Sequence, residues 1–127
     1  MLEYTRGQGG ESMKIGEFSK LVGLSITTLR YYEEQGFLHI ERKHGIRHYN
    51  KKDIGFVQFI KRLKDMGMPL VNIKKYADLR YMGNDTIPER IQLLQEHYCY
   101  IDKKIEEYKQ YQKNLENKLE IYARWKG

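Results

Sequence analysis

The chain contains 127 residues and carries a formal net charge of +6 at pH 7, which leaves room for one compact domain with a helical extension and excludes a multidomain enzyme. No apolar run reaches the roughly 18 residues that a transmembrane helix needs, and the N-terminal segment lacks the apolar core of a signal peptide. The one cysteine, Cys99, cannot form an internal disulfide, which fits a reducing compartment. We therefore expect a cytoplasmic protein that does not associate with membranes.

The positive charge is concentrated in the first part of the chain. Residues 13–79 contain 13 Lys and Arg against 7 Asp and Glu, whereas residues 86–127 contain 8 against 7. A basic domain beside a nearly neutral segment is typical of a polyanion-binding head joined to an extension. The alternative is that the surplus lysines only aid solubility.

Residues 1–12 are rich in glycine and poor in apolar side chains, a composition typical of flexible segments. They are predicted to form a disordered leader, and Met13 is then a candidate for the natural start. We expect the first folded domain to occupy residues 13–82.

Two short helices are predicted at the start of this domain. Apolar residues recur at three- and four-residue spacing over residues 18–22, and the run stops at Gly23, which permits the backbone of a tight turn. Ser25 is a good N-cap for a second helix, ITTLRYYEEQ, in which Ile26 and Leu29 are expected to face inward. A helix, a glycine-containing turn and a capped helix in this order predict a helix-turn-helix.

The next segment, FLHIERKHGIRHYN, alternates in character and carries Gly45 near its middle, a pattern that favours a β-hairpin wing. Its tip is basic. Asn50 and Asp53 then form a capping-box-like start for a third helix, and a fourth helix is predicted over about residues 70–82. The fold class expected is therefore mainly α, with a winged helix-turn-helix head.

A long final helix is predicted over residues 86–125, beginning at Thr86, which has Glu89 three residues on. A 4-3 spacing of apolar residues continues unbroken for five heptads, which favours a coiled coil because a lone helix could not bury such a seam against a small head. An intramolecular helical hairpin, the competing interpretation, needs a break that the pattern lacks. The predicted dimerisation seam, with Gln112 as its polar register-setting position, consists of Ile87, Ile91, Leu94, Tyr98, Ile101, Ile105, Tyr108, Gln112, Leu115, Leu119 and Tyr122.

Three segments of the sequence are similar to a known family: KIGEFSKLVGLSITTLRYYEEQGFL, GIRHYNKKDI and FIKRLKDMGMPLVNIKKY. They resemble the DNA-binding domain of the MerR family of bacterial transcription regulators, above all in LRYYE and in a G-x-R-x-Y motif formed by Gly45, Arg47 and Tyr49. The resemblance covers residues 13–82 closely. It implies a short form of the family that has no effector-binding domain after the long helix.

The resemblance also implies a mechanism. In this family, an antiparallel coiled coil holds two winged heads over a pseudo-palindromic operator that lies between promoter elements. Bending and untwisting of the DNA then allow RNA polymerase to engage the promoter. The partners expected are double-stranded DNA, a second copy of the chain and RNA polymerase.

The second helix is the candidate recognition helix. Thr27 and Thr28 offer hydroxyl groups and methyl groups to base edges in the major groove, and similar family proteins use the positions of Thr27, Arg30 and Tyr31 to contact DNA. In the wing, Arg47 is the leading candidate for a phosphate contact, with Tyr49 helping to anchor the backbone. The predicted DNA-binding residues are Ser25, Thr27, Thr28, Arg30 and Tyr31 in the second helix, Lys43, His44, Arg47 and Tyr49 in the wing, and Lys61 in the third helix.

Other classes of function have little support in the sequence. The three histidines of the predicted hairpin, His39, His44 and His48, have no cysteine or carboxylate pair nearby, so no metal site is expected. No nucleophile and base set, paired carboxylates or phosphate loop occurs, so no enzyme and no cofactor is expected. The inducing signal and any small-molecule effector are not predicted. Two alternatives remain: an architectural, chromosome-organising or excisionase-like DNA-binding protein, or an interaction protein whose head has lost DNA binding.

Overall fold

The computed structural model describes residues 12–125. Within them the predicted mainly α fold with a hairpin wing and a long last helix is confirmed. The predicted leader lies outside the described residues, apart from Ser12. In chain order the elements are α1 (Ile15–Val22), α2 (Ile26–Glu34), β1 (Glu41–Lys43), β2 (Ile46–His48), α3 (Lys52–Asp65), α4 (Leu70–Met82), a 3-10 turn (Asn84–Thr86) and α5 (Ile87–Arg124).

The chain divides into two compact units between Ile87 and Pro88. We call the described residues 12–87 the head and the described residues 88–125 the stalk. No helix within the described part of the chain is long and apolar enough to cross a membrane.

The helix-turn-helix forms as its turn and cap residues predict. Gly23 ends α1 in the left-handed conformation, with φ of 75°, and the Ser25 side chain caps α2 by accepting a hydrogen bond from the Thr28 backbone N–H at 3.0 Å. Leu29 is fully buried on α2. The expectation for Ile26 was wrong: it is 36% exposed, because the first turn of α2 faces solvent together with its cap.

The wing is a hairpin of two short antiparallel strands. Its register pairs Glu41 with His48, Arg42 with Arg47 and Lys43 with Ile46. The two-residue loop consists of His44 and Gly45, with φ of 53° and 78°. Two consecutive positive φ values are the signature of a type I′ turn, whose twist matches that of the paired strands.

Tyr49 fastens the end of the wing to the core of the head. The Tyr49 and Met13 backbones exchange two hydrogen bonds of 2.7 Å, and the Tyr49 ring stacks on Phe18 with 4.6 Å between the ring centroids. The Tyr49 side chain is 0% exposed. The prediction that Tyr49 contacts DNA is therefore corrected. Its ring is buried in the core, and its role is to anchor the wing.

The third and fourth helices complete the head. The Asp53 carboxylate accepts a hydrogen bond from the Asn50 N–H at 3.2 Å, and the Asn50 side chain accepts one from the Lys52 N–H at 3.0 Å, so the predicted capping interaction is present. The buried stripe of α3 includes Val57 and Ile60. That of α4 includes Ile73 and Ala77.

The end of α4 holds the segment that leads from α2 to the wing. The Tyr81 ring stacks on His39 at 4.0 Å between centroids, and the Tyr81 hydroxyl accepts a hydrogen bond from the His39 N–H at 3.1 Å. The Arg80 guanidinium lies 4.0 Å from the centroid of the Phe56 ring. At the following turn, the buried Thr86 hydroxyl donates to the Leu79 and Gly83 carbonyls.

The stalk consists mainly of α5, a single helix of 38 residues. In one chain its predicted seam is largely open to solvent: Tyr98 is 68% exposed, Leu115 66% and Leu119 67%. Large apolar side chains exposed in line along one helix mark a surface that another surface covers.

Substitutions of Asp53 distinguish the effect of its capping hydrogen bond on stability from the effect of its buried charge. Burial raises the pKa of the Asp53 carboxyl above its ordinary value of 3.8, against the bond from the Asn50 N–H and the positive charges of Arg80 and Lys52. Because the folded state holds this proton more tightly than the unfolded chain, the contribution to stability is lost as pH rises from the unfolded pKa through the folded one. Asp53→Asn keeps an acceptor and removes the charge, so we expect a higher free energy of unfolding at pH 7 than in the parent. Asp53→Ala removes the charge and also the acceptor of the Asn50 N–H, so it should be less stable than Asp53→Asn by about 1 kcal/mol.

Urea unfolding followed by circular dichroism at fixed protein concentration measures both variants across pH. A lower stability of Asp53→Asn than of the parent at pH 7 would show that the charge stabilises α3, contrary to this expectation.

Candidate nucleic-acid interface

The outer face of α2 is composed of polar and aromatic side chains. Thr27 and Arg30 are exposed, and Tyr31 is half-buried, whereas Leu29 and Tyr32 face the core. Residues three and four positions apart share one face of a helix, so Thr27, Arg30 and Tyr31 form a single stripe. A major groove admits an α-helix, and the side chains of this stripe offer hydroxyl and guanidinium donors to base edges.

Ser25 and Thr28 act together at the start of α2. The Ser25 hydroxyl donates to the Thr28 side-chain oxygen at 3.0 Å while accepting from the Thr28 N–H. The Ser25 proton is used in this pair, which leaves the Thr28 hydroxyl proton available to another acceptor. The cap therefore places one free hydroxyl donor beside the stripe.

The wing carries its positive charge in two places. Lys43 and His44 are exposed at the tip, where they can meet phosphates. Arg42 and Arg47 stand directly opposite each other on the two strands, so their side chains leave the same face of the hairpin.

One carboxylate joins these two arginines to α2. The Arg47 Nε donates to the Glu33 Oε1 at 2.5 Å, and the Arg42 Nη2 donates to the Glu33 Oε2 at 3.3 Å. The hydrogen bond to Glu33 raises the pKa of Arg47. Arg47, the leading candidate for a phosphate contact, is thus already oriented by a partner on α2.

On α3, a lysine other than the predicted one adjoins α2. The predicted Lys61 pairs with Asp65 at 2.7 Å, an exposed pair of the kind that contributes little stability. The Lys64 Nζ instead lies 5.1 Å from the centroid of the Tyr31 ring. Lys61 and Lys64 are three residues apart on one helix face, so spacing alone did not distinguish them.

The structure therefore brings most of the predicted residues onto one surface. The stripe on α2 is joined to the wing through Glu33 and to α3 through Lys64, and Tyr49 alone among the predicted residues is withdrawn into the core. Glu33, Arg42 and Lys64 also lie beside this surface and are not among the DNA-binding residues predicted from the sequence. Only Arg42 had a usable signal, because a two-residue loop at His44 and Gly45 places it opposite Arg47.

The described part of the chain contains no cluster of side chains suited to a metal ion. Between residues 12 and 125, no group of three or more His, Cys, Asp or Glu side chains is arranged to hold a metal ion. His39 stacks on Tyr81, and Cys99 is an exposed free thiol on α5.

Comparison with known proteins gives matches over the same residues. The sequence model of the family described as MerR HTH family regulatory protein matches residues 13–79, and a second, described as MerR, DNA binding, matches residues 56–118. An uncharacterized HTH-type transcriptional regulator of Haemophilus influenzae is 36% identical over 108 residues, which are 84% of this chain and 80% of the relative.

Solved structures agree with the sequence matches. The crystal structure of HiNmlR, a MerR family regulator lacking the sensor domain, bound to promoter DNA, has a TM-score of 0.70 at 32% identity and covers 89% of this chain and 91% of its own. A MerR family transcriptional regulator from Bacillus thuringiensis has a TM-score of 0.68 at 29% identity, over 87% of this chain and 99% of its own.

The family match spans the whole helix-turn-helix and wing, the relatives are transcriptional regulators, and α2 and the wing carry exposed basic side chains. The chain therefore belongs to the MerR family and is a DNA-binding transcription regulator.

Proposed function

We propose that the protein binds a pseudo-palindromic promoter operator as a homodimer and controls transcription by distorting the DNA. The observation that carries the proposal is the pairing of one recognition surface per head with a long, exposed apolar seam on α5. A two-fold dimer presents two such heads, and the symmetry of its operator mirrors its own.

The seam supplies the reason to dimerise. Burying each exposed Leu or Ile of the seam is worth about 1.5–3 kcal/mol relative to leaving it in water, and the 4-3 spacing keeps these side chains on one line along α5. Gln112, exposed in the single chain, is the one polar position of the seam and favours a single register. In the antiparallel arrangement expected for the family, the two copies of α5 begin at opposite ends of the coiled coil, so each head is joined to its own end.

The head supplies the contacts with DNA. With α2 in the major groove, Thr27 and Thr28 meet base edges, and Lys43 and His44 of the wing reach phosphates. Smooth bending of a 20–30 bp site costs on the order of 1–6 kcal/mol, which is offset by phosphate contacts that only the bent site allows. HiNmlR, a similar MerR family regulator, is bound to promoter DNA in its crystal structure, which supports promoter DNA as the ligand of this head.

The proposed outcome is a change in how RNA polymerase engages the promoter. A distortion centred between the promoter elements alters their spacing and relative rotation, which are the properties that polymerase recognises. The proposal implies a cytoplasmic protein, since bacterial DNA lies there.

Selection of bound genomic fragments tests this function. We expect recovered sites to be pseudo-palindromic and centred between promoter elements, because the proposed distortion acts on promoter spacing. The measurement is sequencing of fragments retained by the full chain at near-physiological salt. Sites scattered within genes, with no promoter relationship, would instead favour the architectural or excisionase-like alternative.

Paired substitutions at the seam test dimerisation. Leu115→Glu with Leu119→Glu places charges in the seam, so we expect a monomer in analytical ultracentrifugation and loss of operator binding. The matched control, Asn114→Glu with Asn117→Glu, adds the same charge to exposed positions off the seam and should remain dimeric. A dimeric seam variant would locate the interface elsewhere.

Base reading and phosphate binding respond differently to substitution. Thr27→Ala should change the preferred operator sequence while leaving the salt dependence of binding unaltered, because a methyl and hydroxyl contact is lost and no charge is removed. Lys64→Ala should weaken all sequences alike and lower the slope of log affinity against log salt by about 0.9, as for one lost phosphate contact. Fluorescence anisotropy over a salt series measures both. Lys61→Ala is the control, since Lys61 is paired with Asp65. A smaller slope change for Lys64→Ala than for Lys61→Ala would show that Lys61, the residue predicted from the sequence, makes the phosphate contact and Lys64 does not.

A further inference from the structure

Two arginines of the wing face each other with one carboxylate between them. Arg42 and Arg47 are directly opposite in the hairpin register, a position in which like charges destabilise strand pairing. A hairpin with three residue pairs has little stability of its own. Glu33, at the last turn of α2, bonds to both guanidinium groups and so removes the repulsion.

The geometry at Arg47 fixes its orientation. Its Nε donates to the Glu33 Oε1, and a guanidinium is a planar fork of five N–H donors. With the Nε engaged, one terminal N–H is parallel to the Nε–H on the Glu33 side, and the other three point away from that bond in a defined plane. The Arg47 side chain is 25% exposed and Glu33 is 17% exposed, so the arginine keeps access to solvent while its partner is largely covered.

We propose that Glu33 is a positioning residue for DNA: its carboxylate holds Arg42 and Arg47 so that both meet phosphates beside the groove that α2 enters. This inference rests on the DNA binding proposed above. Glu33 thereby ties the recognition helix to the wing, and the spacing between base contacts and phosphate contacts is set before DNA arrives.

Simple electrostatics predicts the opposite effect for this residue. A carboxylate on a surface that binds a polyanion repels it, so removing the charge should strengthen binding. Positioning predicts weaker binding, because two unheld arginines must lose side-chain entropy on meeting phosphates. The sign of the change in affinity therefore separates the two accounts.

The adjacent Glu34 is a matched control. It lies one residue along α2, is exposed, and forms no salt bridge with another residue between 12 and 125. Glu33→Gln and Glu34→Gln add the same net charge to the same turn of helix. Only the first loses the two ion pairs.

Fluorescence anisotropy with a duplex operator is the test. We expect Glu33→Gln to bind about tenfold more weakly than the parent, as for the loss of one charge-assisted contact, whereas Glu34→Gln should bind equally well or slightly more tightly. Equal or tighter binding by Glu33→Gln would overturn the positioning role. A parent that binds no duplex would instead overturn the proposed function itself.

A double-mutant cycle distinguishes positioning from a general loss of structure. Arg47→Lys keeps the charge but lacks the Nε that Glu33 holds, so we expect its loss and that of Glu33→Gln to overlap in the double variant. If the double variant instead lost affinity by the product of the two single-variant factors, the two residues would act independently, which would contradict the inference.

A measurement on the unmodified chain covers the case in which Glu33→Gln fails to fold. The Arg47 Nε–H resonance should be resolved and slow to exchange, and it should persist when duplex DNA is added while the terminal guanidinium protons shift. Disappearance of the Nε–H resonance on DNA addition would show that Glu33 releases Arg47, contrary to the proposal.

Discussion

The burial of Tyr49 is the constraint on which the rest of the head depends. A hairpin of three residue pairs cannot support itself in water, yet a DNA-binding wing has to be held at a fixed position. The Tyr49 ring stacks on Phe18, in a contact worth about 0.5–1.5 kcal/mol beyond its buried area, and the Tyr49 backbone is bonded to Met13. These contacts fix one end of the wing in the core, and Glu33 fixes its face against α2. These contacts consequently hold α2 and the wing together as one surface.

Local chemistry made much of the fold predictable, and the interface less so. The Ser25 cap, the turn at Gly45 and the bounds of α4 follow from interactions within a few residues, so sequence patterns were sufficient for them. Tyr49 could not be placed, because an aromatic residue in a G-x-R-x-Y motif looks equally suited to a surface or to a core until its stacking partner is known. The bond from Glu33 to Arg47 crosses 14 positions and depends on tertiary structure.

Charge and apolar surface are divided between the two units of the chain. The head concentrates the positive charge and the proposed contacts with DNA, whereas the stalk carries the exposed seam. In the proposed mechanism one chain is incomplete by itself: its single DNA-binding surface would cover half of a symmetric operator, and a second copy would cover its seam. Both halves of the proposed mechanism, dimerisation and distortion, therefore follow from the same two-fold arrangement, in which two fixed heads bend a site to fit them both.

Hydroxyl-radical footprinting of the full chain on a bound promoter fragment tests this central claim most directly. Two heads related by a two-fold axis should protect two patches of backbone, symmetric about the centre of the operator and about one helical turn or a multiple of it apart. Enhanced cleavage between the patches should mark the distorted step. A single asymmetric patch, or continuous protection without a centre, would contradict the account.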